Sequence, residues 1–322
     1  MTVLNRFLLL TLMMCCSAVQ AIAQTFPDRP LRIIVPQPAG GGYDMIARIF
    51  AEQMSPSLGQ PVVVENRPGA GTVVGSVVAA KAPADGYTML IGGTSNMAMN
   101  IGLYPKLQYD PINDFEAVGT VVGWPYLLVA SKSMPHASVQ EFLADARAHP
   151  GKYNYASAGR GTGQHIAVAA LEKFAGIRLT HVPYSGAAPA YNDVISGRVE
   201  IFFDSIASAL PQVQGVNVKL LAVSTAKRDP AFPDTPTLHE AGVPFDFVSW
   251  VGLFVPAGTP APALQKLRAE VERVRALPSV AERLKKTGGA VQTHTASETG
   301  QFVKDEAARW TDLIKGAGIT IE

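Results

Sequence analysis

Past residue 23 the sequence contains no cysteine; the only two are Cys15 and Cys16. It has no run of the roughly 18 apolar residues that a membrane-spanning helix requires, and no surplus of either charge, with 27 basic and 26 acidic residues. Each absence removes a class of function. A chain that sheds residues 1–23 loses disulfides, zinc thiolates and a cysteine nucleophile together. The same cut removes Arg6 and no acid, leaving 26 charges of each sign. A balanced chain of that kind is not built to bind nucleic acid.

The N-terminus has the form of an export signal. Arg6 precedes the apolar run Phe7 to Met14, and small residues ending in Ala21-Ile22-Ala23 follow, so cleavage is expected after Ala23. Leu12-Met13-Met14 lacks the small residues that precede a lipidated cysteine, so Cys15 is not read as a lipid anchor. The mature protein is expected in the periplasm. Its 299 or so residues are enough for two ordinary domains.

Short apolar runs alternate with helical patterns, which predicts parallel α/β sheets with crossover helices. Leu31 to Val35 is apolar almost throughout, as in a strand buried on both faces, and Ile46, Ile49, Phe50 and Met54 then recur at helical spacing. "PVVVENRP", "GYTMLIGG", "KYNYASAG", "LTHVPYSG", "VEIFFDS" and "VKLLAVST" are further strands. Helices are predicted over 73–81, 164–175 and 188–196, and two charged amphipathic helices close the chain on an outer face. Two extended segments, "VGTVVGWPYLLVAS" and "FVSWVGLFVPAG", stand about 120 residues apart, the size of one compact domain. They predict two Rossmann-like lobes joined by a paired-strand hinge, with residues 24–124 and 248–322 forming one lobe and 125–247 the other. A ligand cleft is expected between them. Trp124 and Trp250, on the crossover segments, are read as hinge or core packing.

Four loops at strand ends are rich in small and hydroxylic residues: "PAGGGYD" at 38–44, "GGTSN" at 92–96, "SAGRGTG" at 157–163 and "YSGAAPA" at 184–190. Carboxyl ends of strands in open α/β sheets are where ligands bind. The first and third loops open helices whose unpaired amides attract anions, with Asp44 and Thr162 as expected caps. Any one of these loops is equally explained as a tight turn; four facing one cleft favour binding. Gly42 is followed by Tyr43-Asp44 rather than Lys-Ser/Thr, so the Walker pattern fails. "GGGYDM" fails the dinucleotide fingerprint, and "GRGTGQ" has its last glycine one residue out of place. No phosphate cofactor is expected, and a carboxylate fits a short backbone nest better.

Arg160 is the one cation inside these loops, and a turn inward would let it take a second carboxylate. Catalysis finds little support. Ser157, His165 and Asp204 can be written as a triad, yet there is no G-x-S-x-G elbow. His165 is read either as a helix cap or core hydrogen bond or as a ligand contact, and Asp204 either as a cap of the next helix or as the partner of an amine or hydroxyl. His136, His149, His165, His181, His239 and His294 show no metal-ligand spacing, so no metal is expected.

"DRPLRIIVPQPAGGGYDMIAR", "LGQPVVVENRPGAG", "ADGYTMLIGG", "LYPKLQYDPINDF", "YASAGRGTGQHIA", "THVPYSGAAPAYNDVISGRVEIFFDS" and "VPAGTPAPALQKLRAEV", in this order, resemble the Bug family, the TctC-like substrate-binding proteins of tripartite tricarboxylate transporters. The resemblance runs from about Pro27 to the C-terminus. It implies a two-lobed α/β periplasmic binding protein of the type with crossed connectivity. It also implies a receptor, not an enzyme, that holds a small organic carboxylate through backbone amides and ordered water. The implied partners are membrane permease subunits or, alternatively, a membrane sensor; a secreted α/β enzyme is the third reading, and the receptor is expected to act as a monomer. Carried over by position, the resemblance implicates Ala39, Gly40, Gly42 and Asp44 in the first loop and Thr94 and Ser95 in the second. From the other lobe come Ser157, Thr162, His165, Tyr184, Gly186 and Asp204. The family often has Phe where Gln37 stands and Thr or Ser where Tyr43 stands, so the ligand's identity does not carry over.

Overall fold

The computed structural model describes residues 26–320. The export signal expected at residues 1–23, with both cysteines, lies outside the described residues. Among the described residues ten strands form one continuous mixed sheet in the order β2-β1-β3-β9-β4-β7-β5-β6, with β10 (Ala290–Val291) and β8 also paired to β4. Strand β1 (Leu31–Val35) pairs in parallel with β2 (Val62–Asn66) and β3 (Thr88–Gly93). In the other half, β5 (Asn154–Ser157) pairs in parallel with β6 (Thr180–Pro183) and β7 (Ile201–Ser205). Each half is a small crossover unit whose strands end on the same side. This is the α/β, two-lobed periplasmic-binding architecture.

The joint between the halves adds antiparallel pairs to the parallel pairing that the sequence predicts. Strand β4 (Phe115–Ala130) runs through both halves. Residues 115–125 pair antiparallel with β9 (Val248–Pro256), whereas Tyr126 to Ala130 pair antiparallel with β7 and with β8 (Lys219–Val223). β9 is in turn antiparallel to β3. A strand that leaves one half and a strand that returns to it must run in opposite senses, and an apolar run carries no mark of direction. Nearly every residue of β4 and β9 is buried, so this crossover is also core.

Burial of side chains such as Ile33, Ile34 and Phe50 fixes the first half, at about 1.5–3 kcal/mol for each large apolar side chain. The last helix, Ala296–Ala317, does more than cover an outer face. Its Trp310 ring meets Phe247 edge-on at 5.1 Å, and Lys173 donates to the Gly316 carbonyl. Glu306 Oε2 accepts from the indoles of both Trp250 and Trp310, each at 3.2 Å, tying β9 to this helix. Among the described residues, no helix is long and apolar enough to cross a membrane.

Candidate functional site

Five strand ends deliver chain to one cleft. β1 leads to the helix Gly42–Leu58, β3 to a π-helical turn Thr94–Met99, and β5 to the helix Gly163–Ala175. β6 leads to the helix Ala187–Ser196 and β7 to the helix Ile206–Gln214. The cavity there, about 200 Å³, is lined by residues from every one of these junctions, together with Trp124, Tyr126 and Ser249 of the crossover strands. Among the described residues lining it there is no Asp, Glu, Lys, Arg or His. What faces the space is backbone, hydroxyls, two carboxamides, aromatic rings and the apolar side chains of alanines and prolines. Four helix starts point at it, each carrying unpaired amides and a partial positive charge.

The first wall is built by Asp44 from behind. Helix Gly42–Leu58 is preceded by Gly41 with no side-chain cap, and its first helical bond runs from Met45 N to Gly41 O at 3.0 Å. Asp44 stands in the third position of the helix, so the expected capping role is not the one it fills. Its carboxylate accepts from Gly40 N at 2.9 Å, Arg48 Nε at 2.9 Å and Asn66 Nδ2 at 3.0 Å. Burial works against its charge, but these three donors outweigh it and hold its pKa below the usual value. Asp44 is thus saturated and does not line the cavity. Gly40 has its amide committed to Asp44 and a φ of +84°, a conformation that suits glycine, with no atom crowding its Cα. The amides left for a ligand are those of the first helical turn, Gly42 and Tyr43 foremost. A Cβ on Gly42 would lie 3.6 Å from the Trp124 ring, so that wall also has aromatic backing. The Tyr43 ring fills the space toward the second loop, its hydroxyl buried beside Ser95 without a full hydrogen bond, and burial pushes its pKa up.

In the second loop Thr94 and Ser95 part ways. The Thr94 hydroxyl accepts from Trp250 N at 2.9 Å, which locks the loop to β9, whereas Ser95 lines the cavity. Gly163, at the start of its helix, approaches the same point from the opposite half. A Cβ there would come within 2.6 Å of Tyr126 Oη and 3.6 Å of Ser95 Oγ, so only glycine permits this approach.

The third loop is held by a stack of rings outside the cavity. His165 stacks on His181 at 4.3 Å, and His181 on Tyr155 at 4.7 Å. Ser157 Oγ pairs with His181 Nε2 at 2.7 Å, and Gly161 N donates to His165 Nδ1 at 3.2 Å. Burial, with the Arg160 charge adding to it, lowers the His165 pKa to about 4; burial, then His165 and Arg160, lowers that of His181 to about 3. Both rings are neutral at pH 7. Ser157 and His165 are therefore loop supports, and His165 takes the hydrogen-bonding role. Thr162 stands at the N-cap position and lines the cavity, but its hydroxyl donates to Gly159 O at 2.7 Å instead of capping. Arg160 is exposed and does not line the cavity. Flanking glycines left its direction open, and it points away.

In the fourth loop Gly186 lines the cavity, whereas the Tyr184 hydroxyl donates to Asp193 Oδ2 at 2.7 Å and stays out of it. Asp204, at the end of β7, is fully buried behind the wall. Its Oδ1 accepts from Ser205 N at 2.8 Å and Gln164 Nε2 at 2.9 Å, Oδ2 makes no well-formed hydrogen bond beside the Tyr191 hydroxyl, and burial raises its pKa to about 6. The structure thus brings Ala39, Gly40, Gly42, Ser95, Thr162 and Gly186 to one cavity. It places Asp44, Thr94, Ser157, Arg160, His165, Tyr184 and Asp204 around it. Sequence reasoning passed over Gln37, Gln164, Ser205 and Ser208 as lining groups. Ser205 and Ser208 had a signal, since "FFDSIAS" is a fifth strand end with hydroxyls. Among the described residues, no group of three His, Cys, Asp or Glu is placed to hold a metal ion.

The sequence profile of the tripartite tricarboxylate transporter family receptor, TctC, matches residues 46–319. The chain belongs to this family. A UPF0065 protein in the tcbD-tcbE intergenic region of Pseudomonas sp. (strain P51) is 40% identical over 291 residues, covering 90% of this chain and 86% of that one. BugT of Bordetella pertussis is 32% identical over 303 residues, covering 93% of each. Three solved structures share the fold closely. The periplasmic binding protein BugD superposes with a TM-score of 0.86 at 35% identity, over 91% of this chain and 99% of that one. Rpa4515 of R. palustris, solved with adipate, gives 0.86 at 34% identity, over 91% and 98%. MatC (Rpa3494) of Rhodopseudomonas palustris, with bound malate, gives 0.85 at 35% identity, over 90% and 100%. This TctC-family chain is a solute-binding receptor and not an enzyme.

Proposed function

We propose that this receptor captures a small organic carboxylate in the periplasm, after export through the signal at residues 1–23, and delivers it to the membrane permease subunits of a tripartite tricarboxylate-type transporter. One observation carries the reading: four helix starts surround a cavity that, among the described residues, is lined by no charged side chain. An anion loses its hydration on entering such a space and is compensated by fixed amides and helix ends, as in other sites that hold anions without a cation. Hydrogen bonds to a charged group are worth about 1.5–3 kcal/mol each, so two or three amides, at Gly42 and Tyr43 and through ordered water, are enough to fix one carboxylate. The adipate and malate held by Rpa4515 and MatC support the same ligand class. Because no ion pair has to be broken, opening of the lobes is sufficient for release.

The test is a thermal-shift screen of organic acids against residues 24–322. A ligand at a hundred-fold excess over its Kd stabilises the native state by about 2.7 kcal/mol, which raises Tm by several degrees. A rise with one group of carboxylates, without chemical change in the acid, supports the reading; no response to any acid overturns it.

A further inference from the structure

Asp204 is costly where it stands. It is completely buried, and its second oxygen meets nothing but the neighbouring Tyr191 hydroxyl, without a well-formed hydrogen bond. A buried carboxylate of this kind is not retained for stability. Its well-formed side-chain hydrogen bond comes from Gln164, which lines the cleft. An ionised carboxylate only accepts hydrogen bonds, so it must be met by the Gln164 amide nitrogen. The Gln164 carbonyl oxygen is thereby turned away from Asp204. The polar part of the rest of the wall consists of helix-start amides and hydroxyls that will donate to an anion, set among alanine, proline and aromatic side chains. In that setting a carbonyl whose orientation is fixed is an acceptor in search of a donor.

We infer that Gln164, positioned by Asp204, selects a carboxylate that carries a hydroxyl group, and that the substrate class of this receptor is hydroxy acids. The inference rests on the receptor reading above and sharpens it. An ammonium group would also donate, but no carboxylate lines the cavity and four positive helix ends face it, so a desolvated ammonium is disfavoured. A hydroxyl brings a donor without a charge. Gln164 meets the ligand directly, and Asp204 acts through it as a positioning residue.

Calorimetry at pH 7.5 on matched pairs decides the matter: lactate against propionate, malate against succinate, and mandelate against phenylacetate. For any pair that binds, the hydroxy acid is expected to be tighter by about tenfold, the value of one hydrogen bond to an oriented acceptor. Gln164→Met keeps the length and removes the carbonyl, so the ratio within the pair should fall to about one. Asp204→Leu leaves Gln164 free to turn, and the ratio should fall below about threefold. A purely structural role would weaken both members of a pair alike and leave the ratio at tenfold, which would overturn the inference. Equal binding within every pair would also overturn it, as would tighter binding of alanine than of lactate or binding only of acids without a hydroxyl; in each case the receptor reading stands. Failure of every acid to bind would remove both.

Discussion

The two walls of the cleft are rigidified in opposite ways. Behind the first, a charged group is fully satisfied: Asp44 has three donors and its pKa is held low. Behind the second, ionisable groups are buried at a loss, with Asp204 raised to about 6 and His165 and His181 lowered to about 4 and about 3. The first wall presents backbone amides of the turn at Gly42. The second also presents a side chain, Gln164, whose orientation depends on the strained acid. A wall of amides recognises a charge and nothing more. Discrimination between one anion and another has to come from the other side, and its cost shows in the pKa values.

The first wall breaks most completely at Gly42. Its Cβ position has room only up to the Trp124 ring, so Gly42→Val should place methyl groups where the proposed carboxylate would bind and weaken binding by at least about 100-fold, some 2.7 kcal/mol. Titration calorimetry with any acid that binds the wild type measures this, and circular dichroism checks that the fold persists. Asp44→Ala should strip the acceptor from Gly40, Arg48 and Asn66, lowering stability by about 2–3 kcal/mol in urea unfolding.

The second wall should respond with the opposite sign. The folded-state pKa of Asp204 lies above its ordinary value, so ionising it opposes folding as pH rises through the interval from the usual 3.8 to about 6. Asp204→Asn should therefore be more stable than wild type at pH 7.5 by about 1–3 kcal/mol, with the gain disappearing below pH 4. The two histidines contribute the reverse slope: their folded pKa values are depressed, so the unfolded chain takes up protons first and stability falls between about pH 6.5 and 4. In Asp204→Asn that acid-side loss is no longer offset, and urea unfolding between pH 4 and 7.5 should show a steeper dependence than wild type. A parallel profile for the two proteins would contradict the assignment. Arg160→Ala sets the lower end of the scale. It is exposed and outside the lining, so affinity should change by less than about twofold for a monocarboxylate and a dicarboxylate alike.

Much of this fold was legible in the sequence because alternation of apolar runs and helical spacing reports burial directly, as at Leu31–Val35 and Gly163–Ala175. Strand direction was not legible. The runs around Trp124 and Trp250 are apolar whichever way they point, and their antiparallel pairing follows from the chain path. The π-helical turn at Thr94–Met99 was also hidden, since Thr-Ser-Asn reads as loop until Asn96 is seen bonding Gly93 N and Ser76 Oγ. At the site, glycines and hydroxyls marked the loops, but not which side chains turn inward. Asp44, Arg160 and His165 stand in the right loops but do not line the cavity, and the partners of Asp44 and His165 are supplied only by the folded chain. Gln164 faces inward because Asp204, forty residues on, holds its amide.

The central claim is that an uncharged cavity ringed by helix starts binds a carboxylate for its charge. Titrating the mature protein with an acid that binds and with the corresponding primary carboxamide tests it most directly, since the two have nearly the same size and shape and differ in charge. The account predicts that the carboxamide binds at least about 100-fold more weakly, the worth of one or two charge-assisted hydrogen bonds. Equal affinity for the acid and its amide would show that the helix starts do not read the charge and would contradict it.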